Sequence, residues 1–277
     1  MAAPARRCAP TPPADPRVLE VIAKGEPTEQ HPVPLLFVHG AWHAAWCWDE
    51  HFLDFFAGHG FRVIAPSLRG HGASPGALRG AGIRDYVDDV ASVAKSLSRP
   101  PVVIGHSMGG FVVQHYLQRH TAAAAILLAS IRPKGVLRVT GRIARRHPVR
   151  FSRVNAERRL GPLVATPKLA RELFFSPGMP AEEVHAYHRR LQDESYRAFL
   201  DMLAFDLVDT RHVKRVPMLV LGAELDAIVT PRETRSIAAV YGTEAEVFPD
   251  LAHDMMLEPR WPAVAERMLS WLTTQKL

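Results

Sequence analysis

The chain has 277 residues, 47% of them apolar and 22% charged, a profile that excludes a disordered or collagen-like protein. At this length folding buries roughly 75% of the surface of the unfolded chain, so one core, or one core with an inserted subdomain, needs neither disulfide nor metal. The formal net charge of +6 is concentrated: ten Arg and Lys between Arg132 and Arg159 face Glu157 alone, and the rest of the chain is net acidic.

Residues 1–16 read as a Pro/Ala-rich flexible leader, with two arginines but no apolar stretch behind them to make a secretory signal. No run approaches the roughly 20 apolar residues of a membrane span. Cys8 and Cys47 lie in unrelated contexts, which points to a reducing compartment and no metal site. A cytoplasmic location is expected.

From residue 17 onward, short continuous Val/Ile/Leu runs alternate with longer segments of helical period, the pattern of an α/β fold with a mostly parallel sheet flanked by helices. An antiparallel edge strand is predicted at Arg17–Ala23. Buried strands are predicted at Leu35–His39, Arg62–Ala65, Pro101–Gly105, Ala124–Ala129, Val216–Gly222 and Ala245–Phe248. Helices are predicted at Ala45–His59, Ile83–Ser98, Met108–His120, Pro231–Tyr241 and Pro259–Gln275, several with Pro near the first turn. Between 131 and 215 the strand signal vanishes and helical spacing remains, as in Ala181–Gln192 and Ser195–Leu207. The expected organisation is a core over 17–130 and 216–277, with 131–215 inserted as a helical cap.

Gly105-His106-Ser107-Met108-Gly109 joins a predicted strand to a predicted helix. A serine at so sharp a turn is pushed clear of the sheet, and its neighbours two positions away must be glycine to avoid a clash. A serine hydroxyl needs a base to become a nucleophile, and the base needs an acid to orient it. Among 14 histidines, His253 follows the last predicted strand, and Asp226 follows the strand before it. Ser107, Asp226 and His253 thus converge on the carboxyl edge of the sheet, where open α/β sheets bind ligands. Glu224 is a rival acid, disfavoured by its spacing. Asp250 and Asp254 read as loop or helix-entry charges, and Glu258 as the start of the last helix.

These motifs, in the order Ser, Asp, His, resemble the α/β-hydrolase superfamily over nearly the whole chain outside the leader and cap. Phe37-Val-His39-Gly40-Ala41-Trp42 is similar to that family's His-Gly turn, and the resemblance assigns the oxyanion-hole N–H groups to Ala41 and Met108. Ser67-Leu-Arg69-Gly70-His71-Gly72-Ala-Ser74 is similar to its D-x-R-G-x-G-x-S loop, with Ser67 where an aspartate is usual. The stretch from Trp42 to Trp48 also resembles plant esterases and hydroxynitrile lyases of the superfamily.

Trp42, His39 and Met255 are the candidates for the substrate pocket. His39 also reads, with His106, as a structural hydrogen-bonder, and core packing serves Met255 and Met256 equally well.

The expected activity is hydrolysis of a small-molecule carboxylic ester or thioester through an acyl-enzyme, with no cofactor and no metal. The rivals are C–C hydrolysis, cyanohydrin cleavage, perhydrolysis or acyl transfer on the same triad, or a ligand receptor on a hydrolase scaffold. Val136, Val139 and Ile143 recur at helical spacing among the arginines, so the cap's basic stretch reads as an amphipathic helix. It suits weak association with anionic lipid, or lipid-like or anionic esters. No nucleic-acid-binding motif accompanies the basic residues.

Overall fold

The computed structural model describes residues 18–277; the expected leader and Cys8 lie outside the described residues. Among the described residues seven strands form one sheet: β1 Val21–Lys24, β2 Leu35–Val38, β3 Val63–Pro66, β4 Val102–His106, β5 Ala124–Leu128, β6 Met218–Ala223 and β7 Ala245–Phe248, in the order β1-β3-β2-β4-β5-β6-β7. Only β1 runs antiparallel, pairing Ile22 with Ala65 and leaving alternate residues exposed, as an edge requires. The central strands are parallel, with Leu36 opposite Val103, Ile104 opposite Ile126 and Ile126 opposite Leu219. Every residue of β2, β4 and β5 is buried.

The helices of the core are α1 Trp46–Asp49, α2 Phe52–Gly58, α3 Ile83–Lys95 and α4 Met108–Arg119, and, after the insert described below, α10 Pro231–Tyr241 and α11 Trp261–Thr274. The single helix predicted over Ala45–His59 is two. His51 leaves the helical region at φ −144° and stacks its ring on Trp261, 4.7 Å away, so a tertiary contact overrides a continuous helical pattern. α10 starts in a capping box of Thr230 and Glu233 and stops at Gly242, φ 70°. Phe37 of β2 packs against Trp48 and Phe56, with Phe52 beside Trp48, each contributing about 1.5–3 kcal/mol by leaving water.

Between β5 and β6 the chain makes α5 Leu137–Arg146, α6 Pro148–Glu157, α7 Pro167–Phe174, α8 Ala181–His188 and α9 Tyr196–Leu200, the last running into a π turn at Asp201–Phe205. Ala125 nevertheless pairs directly with Met218, so this helical insert leaves the sheet uninterrupted. Among the described residues no helix is long and apolar enough to cross a membrane.

Candidate active site

Ser107 sits between β4 and α4 at φ 53° and ψ −118°, a conformation an L-residue holds only when its surroundings impose it. They do: its N–H donates to Leu128 O at 3.1 Å, and its carbonyl accepts from Gly110, Phe111 and Ile131. The flanking glycines are required by space. A Cβ on Gly105 would meet Gly109 O at 2.5 Å, and one on Gly109 would run into the carbonyl oxygens of Val38 and His39.

His253 lies in the loop after β7 and Asp226 in the loop after β6. His253 Nδ1 donates to Asp226 Oδ2 at 2.8 Å, while the other carboxylate oxygen accepts the N–H groups of Ile228 and Val229 at 2.7 and 2.8 Å. Burial pulls the His253 imidazole down, but Asp226 beside it, with Asp254, leaves it raised above the ordinary value. Among the described residues neither Ser107 Oγ nor His253 Nε2 makes a hydrogen bond. Neither Ala41 nor Met108 gives its backbone N–H to another described group, and both residues line the same cavity as Ser107.

That cavity measures about 60 Å³. Apart from Ser107 and Thr140, its side chains are apolar: Trp42 and Met108 from the core, with Val136, Val139, Ile143, Phe151, Val154, Leu160, Leu163, Phe199 and Met202 from the insert, and Ile131 and Ile228 beside them. Of the expected pocket residues, only Trp42 lines it. His39 is wholly buried, its Nδ1 donating to Gly40 O and its Nε2 accepting from Leu68 N. Burial, reinforced by His71, lowers its pKa well below the ordinary imidazole range. Met255 is wholly buried in the core cluster. Neither residue lines this cavity, most of whose wall comes from the insert.

Val139 and Ile143 of α5 face this cavity, while Leu137 at its start is exposed; among the described residues no arginine lines the cavity. Arg142 turns inward, donating to Ile228 O at 2.5 Å and Glu233 Oε2 at 3.0 Å, which ties α5 to the loop that carries Asp226.

Several roles differ from those expected. Glu258 does not cap the last helix; it accepts from Ser176 N and Oγ, across to the insert, and burial raises its carboxyl above the usual range. Asp254 is wholly buried, its Oδ2 3.0 Å from His43 Nε2. Burial works to raise that carboxyl, yet His43, His106 and His253 hold it below the ordinary value. At Ser67, the hydroxyl donates to Glu20 Oε2 at 2.5 Å, so a carboxylate reaches this loop from just before β1. His106, His253 and Asp254 bring ligand atoms within 4.8 Å of one another, close enough for a metal ion. One nitrogen of each histidine is already engaged, His253 Nδ1 with Asp226 and His106 Nε2, which donates to His253 O at 2.9 Å.

Residues 35–267 match the model of the alpha/beta hydrolase family. The chain is 40% identical over 105 residues to a non-heme chloroperoxidase of Streptomyces lividans and 38% identical over 105 residues to a bifunctional esterase/perhydrolase of Acinetobacter calcoaceticus. Each match takes in 36% of this chain and spans 38% of the length of these curated relatives. An esterase structure from Thermogutta terrifontis superposes with a TM-score of 0.69 at 23% identity, covering 94% of either chain.

Proposed function

As this chain belongs to the alpha/beta hydrolase family, we propose that it is a serine hydrolase that cleaves a carboxylic ester or thioester through an acyl-enzyme. The observation that carries the reading is Ser107, held on its strained elbow in the wall of an apolar cavity, on the sheet edge where the His253–Asp226 pair also stands. Ser107 Oγ attacks the substrate carbonyl as His253 Nε2 takes its proton, and the N–H groups of Ala41 and Met108 hold the oxyanion. The tetrahedral adduct collapses, and His253 gives its proton to the departing alcohol or thiol. Water, deprotonated by His253, then attacks the acyl-enzyme and releases the acid, restoring Ser107. No step requires a cofactor.

In this reading the insert is a cap that sets acyl preference. The small apolar cavity supports short, uncharged acyl groups. The arginines do not face that cavity. What supports association of the outer face with anionic lipid is exposed Leu137 and Val149 among Arg138, Arg145 and Arg146. The name of the Acinetobacter relative favours perhydrolysis as a second outcome, in which hydrogen peroxide replaces water and the acyl group leaves as a peracid.

The test is hydrolysis of p-nitrophenyl esters of increasing acyl length beside a folded Ser107→Ala variant. The expected result is a short-chain optimum and loss of turnover in the variant; turnover that survives Ser107→Ala refutes the reading. Adding hydrogen peroxide and assaying peracid separates the two outcomes.

A further inference from the structure

Trp42 follows the proposed oxyanion donor Ala41 and has a left-handed backbone, φ 65°, which a tryptophan keeps only when its peptide groups are held from outside. The peptide between Ala41 and Trp42 is gripped on both edges. Its carbonyl, Ala41 O, accepts from His43 Nδ1 at 2.8 Å, and its N–H, on Trp42, donates to Glu194 Oε2 at 3.4 Å. The next peptide is held too, because Trp42 O accepts from Gln192 N at 3.0 Å.

Each gripping side chain belongs to a buried pair of histidine and carboxylate. His43 Nε2 lies 3.0 Å from Asp254 Oδ2, beside the His253 loop. Glu194 Oε2 accepts from His71 Nε2 at 3.0 Å, and its Oε1 accepts from Tyr86 Oη at 2.8 Å and Ser195 N at 2.6 Å. Glu194 is 1% exposed, yet it is carried by the insert, while His71 and Tyr86 belong to the core. Burial opposes a charged His71, but Glu194 outweighs it and raises the imidazole above its ordinary value. A buried pair of this kind is costly to desolvate, and its four donors and fixed geometry offset that cost.

We propose that Glu194 is a positioning residue: by holding the Ala41–Trp42 peptide from the edge opposite His43, it fixes Ala41 on its carbonyl side, so that the N–H on the preceding peptide, whose Gly40 O is held by His39 Nδ1, stays aimed at the oxyanion, and so makes the oxyanion hole dependent on the insert. The inference rests on the serine-hydrolase reading. It predicts an effect confined to the transition state, since a donor aimed at the oxyanion contributes there and little to the ground state.

The test compares an ester with its thionoester, whose C=S accepts hydrogen bonds poorly, in the wild type, Glu194→Ala and Glu194→Gln. Glutamine matches glutamate in size, but both carboxylate oxygens accept here, so its NH₂ must face donors on one side. The expected result is a kcat for the ester lowered by about 10- to 100-fold, with KM within about threefold of wild type, as befits partial loss of one oxyanion donor. The preference for ester over thionoester falls by about tenfold or more in the same variants. A preference unchanged in a folded variant overturns the proposal even where kcat falls, because a merely structural loss lowers both substrates alike. Should Glu194→Ala fail to fold, Glu194→Gln and Tyr86→Phe, which withdraws a single donor from Glu194, supply the comparison. Turnover that survives Ser107→Ala overturns both readings together, whereas an unchanged preference with Ser107 essential overturns this one alone.

Discussion

His253 works under two opposed influences, burial that disfavours its cation and Asp226 that stabilises it, and the balance leaves its pKa raised. A base must be neutral to accept the Ser107 proton, so kcat/KM rises with pH as His253 deprotonates. The raised pKa places that acid limb above the value of about 6.5 of a free imidazole. A pH–rate profile with its limb below that value contradicts the assignment. Asp226→Asn removes both the stabilising charge and the acceptor for Nδ1–H. The expected outcome is a kcat lower by about 10³–10⁴-fold, with the residual limb displaced to lower pH. The convergence of Ser107, Asp226 and His253 on one sheet edge was readable because strand ends and local motifs mark their positions. His43, Asp254 and Glu194 were not, because their significance comes from burial against one another across distant stretches of chain.

Among the elements, the elbow and α5 differ in how much of their role is local. In the elbow, a Cβ on Gly109 would press into the carbonyls of Val38 and His39 at the end of β2. Gly109→Ala is therefore expected to lower stability by about 1–3 kcal/mol in urea unfolding and to reduce activity, since the shift falls beside Ser107. α5 has an apolar stripe that any helical plot reveals, but the stripe says only that one face is covered and not by what. The fold puts it over Ser107, and Arg142 pins it by meeting buried Glu233 and Ile228 O. Removing that guanidinium leaves a largely buried carboxylate without its closest cation. Thermal denaturation of Arg142→Ala should show a loss of about 1–3 kcal/mol, more than for an exposed pair such as Arg153 with Glu157.

At the scale of the whole molecule, the cavity is a joint product of core and insert: the sheet edge supplies Ser107, Ala41 and Met108, and the helices between β5 and β6 supply most of the wall. Enlarging that wall should move the acyl optimum. Phe151→Ala is expected to shift the best p-nitrophenyl ester to a longer chain with Ser107 still essential, and an unmoved optimum would remove the insert from specificity. The sequence by itself determined the parallel sheet, the elbow, the order of the candidate triad and the helical character of 131–215, because continuous apolar runs, glycine punctuation and helical period are local consequences of burial and backbone geometry. Helix breaks such as the one at His51, the inward turn of Arg142, the absence of His39 and Met255 from the lining of this cavity and the grip of Glu194 on the Ala41–Trp42 peptide were decided only by tertiary structure. Each depends on which surfaces of distant segments meet, and neither spacing nor composition carries that information.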